Sequence, residues 1–197
     1  MARASKEQAA QHRADVVDAA SRLFRDRGLS EVGLAEVMTA VGLTQGGFYK
    51  QFSSKQALAA EATNRAFELA NGLVESIAAD HKDDPAAGLR AFVADYLSTA
   101  KRDNRADGCA ATALSGDATH DDLDGPVRAA YTRGIEGFIE DLAPFSEAGA
   151  SRDERIATMC TLIGALTVAR ATAGNPLSDE VLAAVRDHII THKSTSD

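Results

Sequence analysis

An all-α fold is what this chain predicts, and three observations carry that reading. Aromatic residues make up only 5% of the 197, Trp is absent and Pro occurs four times, while Ala is abundant throughout. Such a composition favours helix over sheet. Apolar residues recur at three- and four-residue spacing in segment after segment, the period of a helix with one buried face. Three capping boxes, Ser5 with Gln8, Ser53 with Gln56 and Ser151 with Glu154, mark where helices are expected to begin. The architecture expected is an N-terminal three-helix head over residues 1–55, then a larger helical bundle over residues 56–197 that pairs with a second copy through its last two long helices.

The first helix carries the stripe Val16, Val17, Ala20, Leu23 and Phe24 and is ended by Gly28. Arg3 and Lys6 precede it, as a small basic arm or a frayed terminus. Leu34, Val37, Met38 and Val41 follow at i, i+3, i+4 and i+7, one face of a two-turn helix. Gly42 suits a sharp inter-helix turn, and Leu43 plugs the corner. Thr44 suits the N-cap of a third helix, expected over residues 44–51, with Phe48 and Phe52 turned inward. Gln45, Gly46, Tyr49 and Lys50 remain on its outer side, with Gly47 beside them: an amide, a phenol and an ammonium, but no carboxylate. A solvated face is the plain explanation. A surface pressed against phosphates is the sharper one, because it excludes negative charge and exposes backbone. The segment reads as a helix-turn-helix whose second helix enters a duplex groove.

A long helix is expected from Ser54 through Leu58, Phe67, Leu69, Leu73 and Ile77 to about Ala79, a rigid lever between head and body. Lys55 sits at its start, where free N–H groups favour an anion. Asp84-Pro85 is a cap followed by Pro at the first helical position, opening a helix with Leu89, Phe92, Val93, Tyr96 and Leu97. A polar break over Lys101–Gly108, a short helix over Cys109–Leu114 and an acidic loop over Gly116–Gly125 are expected next. Pro126 starts a helix with Val127, Ala130, Tyr131, Ile135, Phe138, Ile139 and Leu142. Its Gly134 and Gly137 either weaken it or admit a close neighbour.

The helix opened by Ser151 has two apolar sides: Ile156, Met159, Ile163 and Leu166 on one, Cys160, Gly164, Thr167 and Ala171 on the other. Asn175-Pro176 breaks the chain. Ser178, with Asp179 and Glu180, is expected to cap a final helix bearing Val181, Leu182, Val185 and Ile189, and residues 193–197 to be disordered. Two adjacent helices, the first apolar on two sides, point to a four-helix interface across a two-fold axis. Its expected contacts are Ile156, Met159, Cys160, Ile163, Gly164, Thr167, Val181, Val185 and Ile189.

A net charge of −8 argues at first against nucleic acid, but the charge is unevenly placed. Residues 1–55 hold eight Lys/Arg against six Asp/Glu, net +2, and the remainder thirteen against twenty-three, net −10. The expected reading head is therefore mildly basic. Two cysteines, Cys109 and Cys160, offer neither metal spacing nor a disulfide framework. The longest uncharged apolar-rich run, residues 156–169, is too short to span a bilayer. With no basic-then-apolar leader at the start, a cytoplasmic location is expected. Asp117, His120, Asp121, Asp122 and Asp124 are spaced too irregularly for a metal site, and no cofactor is implied.

Gly42-Leu-Thr-Gln-Gly-Gly-Phe-Tyr-Lys-Gln-Phe-Ser-Ser-Lys55 resembles the N-terminal signature of the TetR family of bacterial transcriptional regulators, with turn, aromatic pair and Ser-Lys in register. Three departures stand out: Val32-Gly33 where Thr or Ser is common, Met38 where a small residue is usual, and Gln51 for a common His. The resemblance implies a ligand-responsive regulator, a repressor, that binds a palindromic double-stranded DNA operator as a homodimer. It also implies an effector pocket in the C-terminal domain. Chemistry assigns the roles: Gln45 pairs bidentately with adenine, the Thr44 methyl meets a thymine methyl, and Gly46 and Gly47 let backbone come close. Tyr49, Lys50 and Lys55 hold phosphates. Phe67, Phe92, Tyr96, Tyr131 and Phe138, with Cys109, are the pocket candidates; helix packing alone also explains them. Cys109 beside Gly108 either packs a helix start or senses thiol-reactive species, although Asp107 opposes a thiolate there. Two rivals remain open. One is a helical enzyme with Cys109 as nucleophile, for which no paired base is readable. The other is a helical module whose partner is protein.

Overall fold

The computed structural model describes residues 2–146 and 150–192. Among them every regular element is helical: α1 (Ala2–Arg27), α2 (Leu34–Ala40), a 3-10 helix (Gln45–Lys50), α3 (Lys55–Asp80), α4 (Pro85–Tyr96), α5 (Thr99–Asp103), α6 (Ala110–His120), α7 (Pro126–Asp141), a 3-10 turn (Ala143–Phe145), α8 (Arg152–Ala171) and α9 (Pro176–His192). The expected tail over 193–197 lies outside the described residues.

The apolar stripes find each other as helical periodicity requires. Val16, Ala20 and Phe24 of α1 pack with Val37 and Met38 of α2, with Phe48 and Phe52, and with Leu58 of α3. This head core continues without a break into the body through Ala62, Ala66 and Phe67 of α3, so no boundary of packing falls at residue 55. Helix α3, about 39 Å long at 1.5 Å per residue, passes from the head along α7. The two approach closely where Gly134 meets Phe67: a Cβ on Gly134 would lie 2.2 Å from the Phe67 ring. The glycine therefore admits a neighbour. In the body, Phe92 stacks on Phe145 at 5.4 Å and meets the edge of Phe138 at 6.3 Å.

Several helix starts obey the sequence, and several move. Asp84 caps α4 through the Ala87 N–H at 2.8 Å with Pro85 in the first turn, and Ser151 with Glu154 forms a full capping box on α8. At α3 the cap is Ser54, which accepts from Ala57 N–H, and not Ser53. Helix α1 is already under way at Ala2, so Ser5 does not start it. Thr44 and Gly33 stand at N-cap positions without a side-chain cap bond. The polar stretch 101–108 holds the end of α5, capped by Ser98 through Lys101 N–H. Helix α6 runs to His120, half-way through the expected loop, because Asp121 is the residue that stops it: its carboxylate accepts the Val127 and Arg128 N–H groups and starts α7. Ser178 is no cap. It is buried inside α9, donating to Ala169 O at 2.7 Å and accepting from Arg102, while Asn175 accepts the Leu177 N–H ahead of it.

Several polar contacts tie the head to the body, Asp26 with Arg105 and Asp18 with Arg65 among them. Leu29 N–H donates to Asp117 of α6 at 3.0 Å, Arg25 of α1 donates to Gly108 O at 3.1 Å, and Arg22 pairs with Asp107. Gly28 before Leu29 takes φ +87°, as a helix-ending glycine does.

Candidate nucleic-acid interface and inner cavity

The turn between α2 and the 3-10 helix is made by Gly42, whose φ of +71° an L side chain rarely adopts. Two short elements then hang from an aromatic anchor. Phe48 is fully buried, Phe52 nearly so, and their rings stack at 5.4 Å. Burying two such side chains is worth about 1.5–3 kcal/mol each, enough to hold a six-residue segment with no helix stability of its own. Arg13 covers the outer edge of this anchor, its guanidinium 4.6 Å from the Phe52 ring centre, and pairs with Glu61 at 2.6 Å.

The segment expected to read DNA is a 3-10 helix over Gln45–Lys50 and not the α-helix expected over 44–51. With two glycines in its first turn it has little α preference to resist the tighter winding. Its outward residues are placed as the sequence suggested. Thr44, Gln45, Gly46 and Lys50 are exposed, and Tyr49 is 69% exposed with its ring edge against Phe48. Nothing lies within 4 Å of a Cβ built on Gly46. Gly47 is half-buried, with Met38 Cε 3.7 Å from its Cβ position, so the larger residue at 38 fills the space behind the turn. Lys55 differs from the rest: it is half-buried and its ammonium donates to Leu29 O at 2.6 Å. Gln51 has a buried Oε1 without a partner.

Inside the body lies a cavity of about 280 Å³. Of the pocket candidates, Phe67, Phe92, Tyr96, Phe138 and Cys109 line it, joined by Leu69 and Leu73 of α3, both exposed at its mouth. Tyr131 does not line it. It stands behind Phe67, ring edge on face at 5.8 Å, and its hydroxyl donates to Ala111 O. Cys109 is the N-cap of α6: its Sγ accepts from Thr112 N–H at 3.4 Å and lies 2.8 Å from the Tyr96 hydroxyl. Burial first, then the nearby thiol, holds the Tyr96 hydroxyl well above the ordinary phenol range, so it stays protonated. Arg25, Asp95, Lys101, Asp107 and Asp141 are the charged residues of the lining. The sequence pointed to none of these charged residues, because no periodicity marks a polar side chain that bends into an apolar space.

The expected dimer residues divide. Met159 and Ile189 are buried in their own subunit, so neither offers a face to a partner. Ile156, Ile163, Val181 and Val185 are half-buried against the same core. Cys160, Gly164 and Thr167 are exposed on one side of α8, next to Val168 at 45% exposure and Ala171. Thus the second apolar side of α8 is bare in one subunit, while the first is spent internally.

Asp117, His120 and Asp121 are taken up by the backbone: Asp117 by Leu29 N–H, Asp121 by the start of α7, and His120 by Gly116 O at 2.7 Å. No helix among the described residues is long and apolar enough to cross a membrane.

Residues 16–62 match the family model of bacterial regulatory proteins, tetR family. The HTH-type transcriptional regulator TtgR of Pseudomonas putida is 30% identical over 90 residues, 46% of this chain and 43% of that protein. The HTH-type transcriptional regulator AcrR of Shigella flexneri is 30% identical over 105 residues, 53% of this chain and 49% of that protein. The chain thus matches about half the length of these relatives, which are named as regulators and not as enzymes. Among solved structures, the reduced form of E. coli NemR superposes with a TM-score of 0.75 at 20% identity, covering 92% of this chain and 97% of that one. A TetR-family regulator from Agrobacterium tumefaciens gives 0.75 at 17% identity, covering 94% and 98%. These two share the fold.

Proposed function

We propose that this chain, of the TetR family in its N-terminal segment and in its fold, is a transcriptional repressor that binds a palindromic operator as a homodimer and loosens its hold when a small molecule occupies the inner cavity. The observation that carries the reading is the bare, carboxylate-free surface of Gln45–Lys50 raised on the buried Phe48 and Phe52 pair. A merely solvated face has no need of an anchor that fixes its direction. Here the anchor sets the direction of an amide, a phenol and an ammonium on a strip narrow enough for the major groove.

Residues 1–55 act as the reading head and residues 56–197 as the effector and dimer part. The exposed side of α8, with Cys160, Gly164 and Thr167, meets its copy across the two-fold axis. Two heads then read half-sites about 34–36 Å apart, or a multiple of that. Helix α3 joins the head core to the wall of the cavity through Phe67, so a ligand that prefers one placement of α3 also prefers one spacing of the heads. The protein works in the cytoplasm, where such DNA is found. A gel shift with DNA from upstream of its own gene tests this. A retarded band that weakens with salt, with a protected palindrome, is expected; no shift even at low salt sinks the reading in favour of a protein-binding module.

One contact favours a second reading, a thiol sensor: the Tyr96 hydroxyl lies 2.8 Å from Cys109 Sγ at the cavity wall. Addition of that sulfur to an electrophile would push against Tyr96 and the start of α6. N-ethylmaleimide should then release operator DNA from the native protein and not from Cys109→Ser; release from both excludes Cys109.

A further inference from the structure

We propose that the occupant of the inner cavity carries an acidic group and that Arg25 is the residue that reads it. The inference rests on the effector reading of the cavity and adds the chemistry of the effector. Most of the wall is apolar, and Phe67, Phe92, Tyr96 and Phe138 make it aromatic. Its volume, about 280 Å³, falls just below the roughly 300–1,000 Å³ usual for ligand sites. The body of the ligand is therefore a small flat apolar group.

Arg25 lines the same cavity from α1 and is only 5% exposed. Its Nε donates to Ser21 O at 3.1 Å and its Nη1 to Gly108 O at 3.1 Å, whereas Nη2 is buried with no partner among the described residues. A guanidinium buried with an empty donor is an unfinished ion site, since buried polar groups in folded proteins are almost always satisfied. Its nearest carboxylate does not complete it: Asp107 is bonded by Arg22 and by the Asn104 amide. A second cation, the half-buried Arg170, adds positive charge nearby and has its own covered Nε unpartnered among the described residues. The other carboxylates of the lining are engaged or distant. Asp95 pairs with Lys101 at 3.4 Å, and Asp141 lies within 2.9 Å of the Asn71 amide when its nitrogen is turned toward that carboxylate. What completes it is an acceptor that pairs with the donor and balances the charge. A carboxylate, planar and able to take the free edge of a guanidinium, does both.

The position of Arg25 gives the acid group a second effect. Arg25 belongs to α1, the helix that packs behind the segment Gln45–Lys50, and its bond to Gly108 O is one of the polar ties between head and body. An anion that draws on this guanidinium acts on the head directly.

The test is calorimetric titration of the full chain with 2-naphthoate, its neutral match 2-naphthamide, and the cation 2-naphthylmethylamine. One charge-assisted bond in a buried site is worth about a ten- to hundred-fold gain in affinity. Naphthoate should exceed naphthamide by that factor. Arg25→Gln should erase the gap by weakening naphthoate, and Arg25→Lys should restore part of it. Equal binding of acid and amide by the native protein overturns the proposal with no variant needed; so does tighter binding of the amine, or no binding of naphthoate at millimolar concentration. Should naphthoate bind through Arg25 and yet leave operator affinity unchanged, the effector reading fails while the acid site stands.

Discussion

Lys55 Nζ donates to the carbonyl of Leu29 at 2.6 Å, which pins the start of α3 to the turn that follows α1. The same turn gives its Leu29 N–H to Asp117 of α6. A lysine that reads in sequence as a phosphate contact is therefore half committed to holding the head together.

This separates two lysines. Lys50 is exposed at the end of the reading segment, so Lys50→Ala should weaken binding to every DNA sequence and lower the salt slope by about 0.9 per protomer, one phosphate contact. Lys55→Ala should instead cost about 1 kcal/mol of stability, since a hydrogen bond from a charged donor on a half-buried site is lost, and change the salt slope less. Urea melts and gel shifts at several salt concentrations measure both. The assignment is wrong if the two variants exchange these effects.

Gln45 stands exposed at the first turn of the 3-10 helix with its amide free to reach a base edge. Gln45→Ala should cost about 1–3 kcal/mol on the preferred site and relax the preference at one base pair in each half-site. Binding to an array of single-base operator variants checks it. A uniform loss across the array would assign Gln45 to the backbone.

Gly134 has no room for a methyl group, because its Cβ would fall 2.2 Å from the buried Phe67 ring. Alanine is the better helix former by about 1 kcal/mol, yet overpacking costs about 1–3 kcal/mol. Gly134→Ala should therefore be destabilising by up to about 2 kcal/mol and should narrow the cavity that Phe67 lines. Adding Phe67→Leu should recover part of the loss, a coupling that a double-mutant cycle of melting curves detects. Simple additivity of the two would refute the steric account.

Burial raises the carboxyl pKa of Asp117 above its ordinary 3.8, against the lowering effect of the Leu29 N–H, His120 and Lys55. The folded state then holds the proton more firmly than the unfolded one, so the stability this group contributes is present at low pH and lost as pH climbs through the interval above 3.8. Asp117→Asn keeps an oxygen for Leu29 N–H and removes the charge. Relative to the native protein, the variant should gain stability as pH rises from about 4 to 7. Denaturant midpoints at those two pH values decide it: a difference independent of pH excludes the burial argument.

What the residues determine locally was readable without coordinates. The apolar stripes on α1, α2, α3 and α7, the Gly42 turn, the Asp84-Pro85 start and the Ser151–Glu154 box all depend on neighbours within a turn or two. So does the bare outer face of Gln45–Lys50, since period and composition alone put Phe48 and Phe52 beneath it. Only tertiary structure decided the rest. It wound the reading segment as a 3-10 helix, carried α6 on to His120, buried Met159 and Ile189 within the subunit, and turned Lys55 toward Leu29. It also brought Arg25 to an apolar cavity 83 positions from the carbonyl it holds. Helical periodicity says which face of a helix is buried, but not which distant backbone group a polar side chain will find there; that depends on how the helices cross.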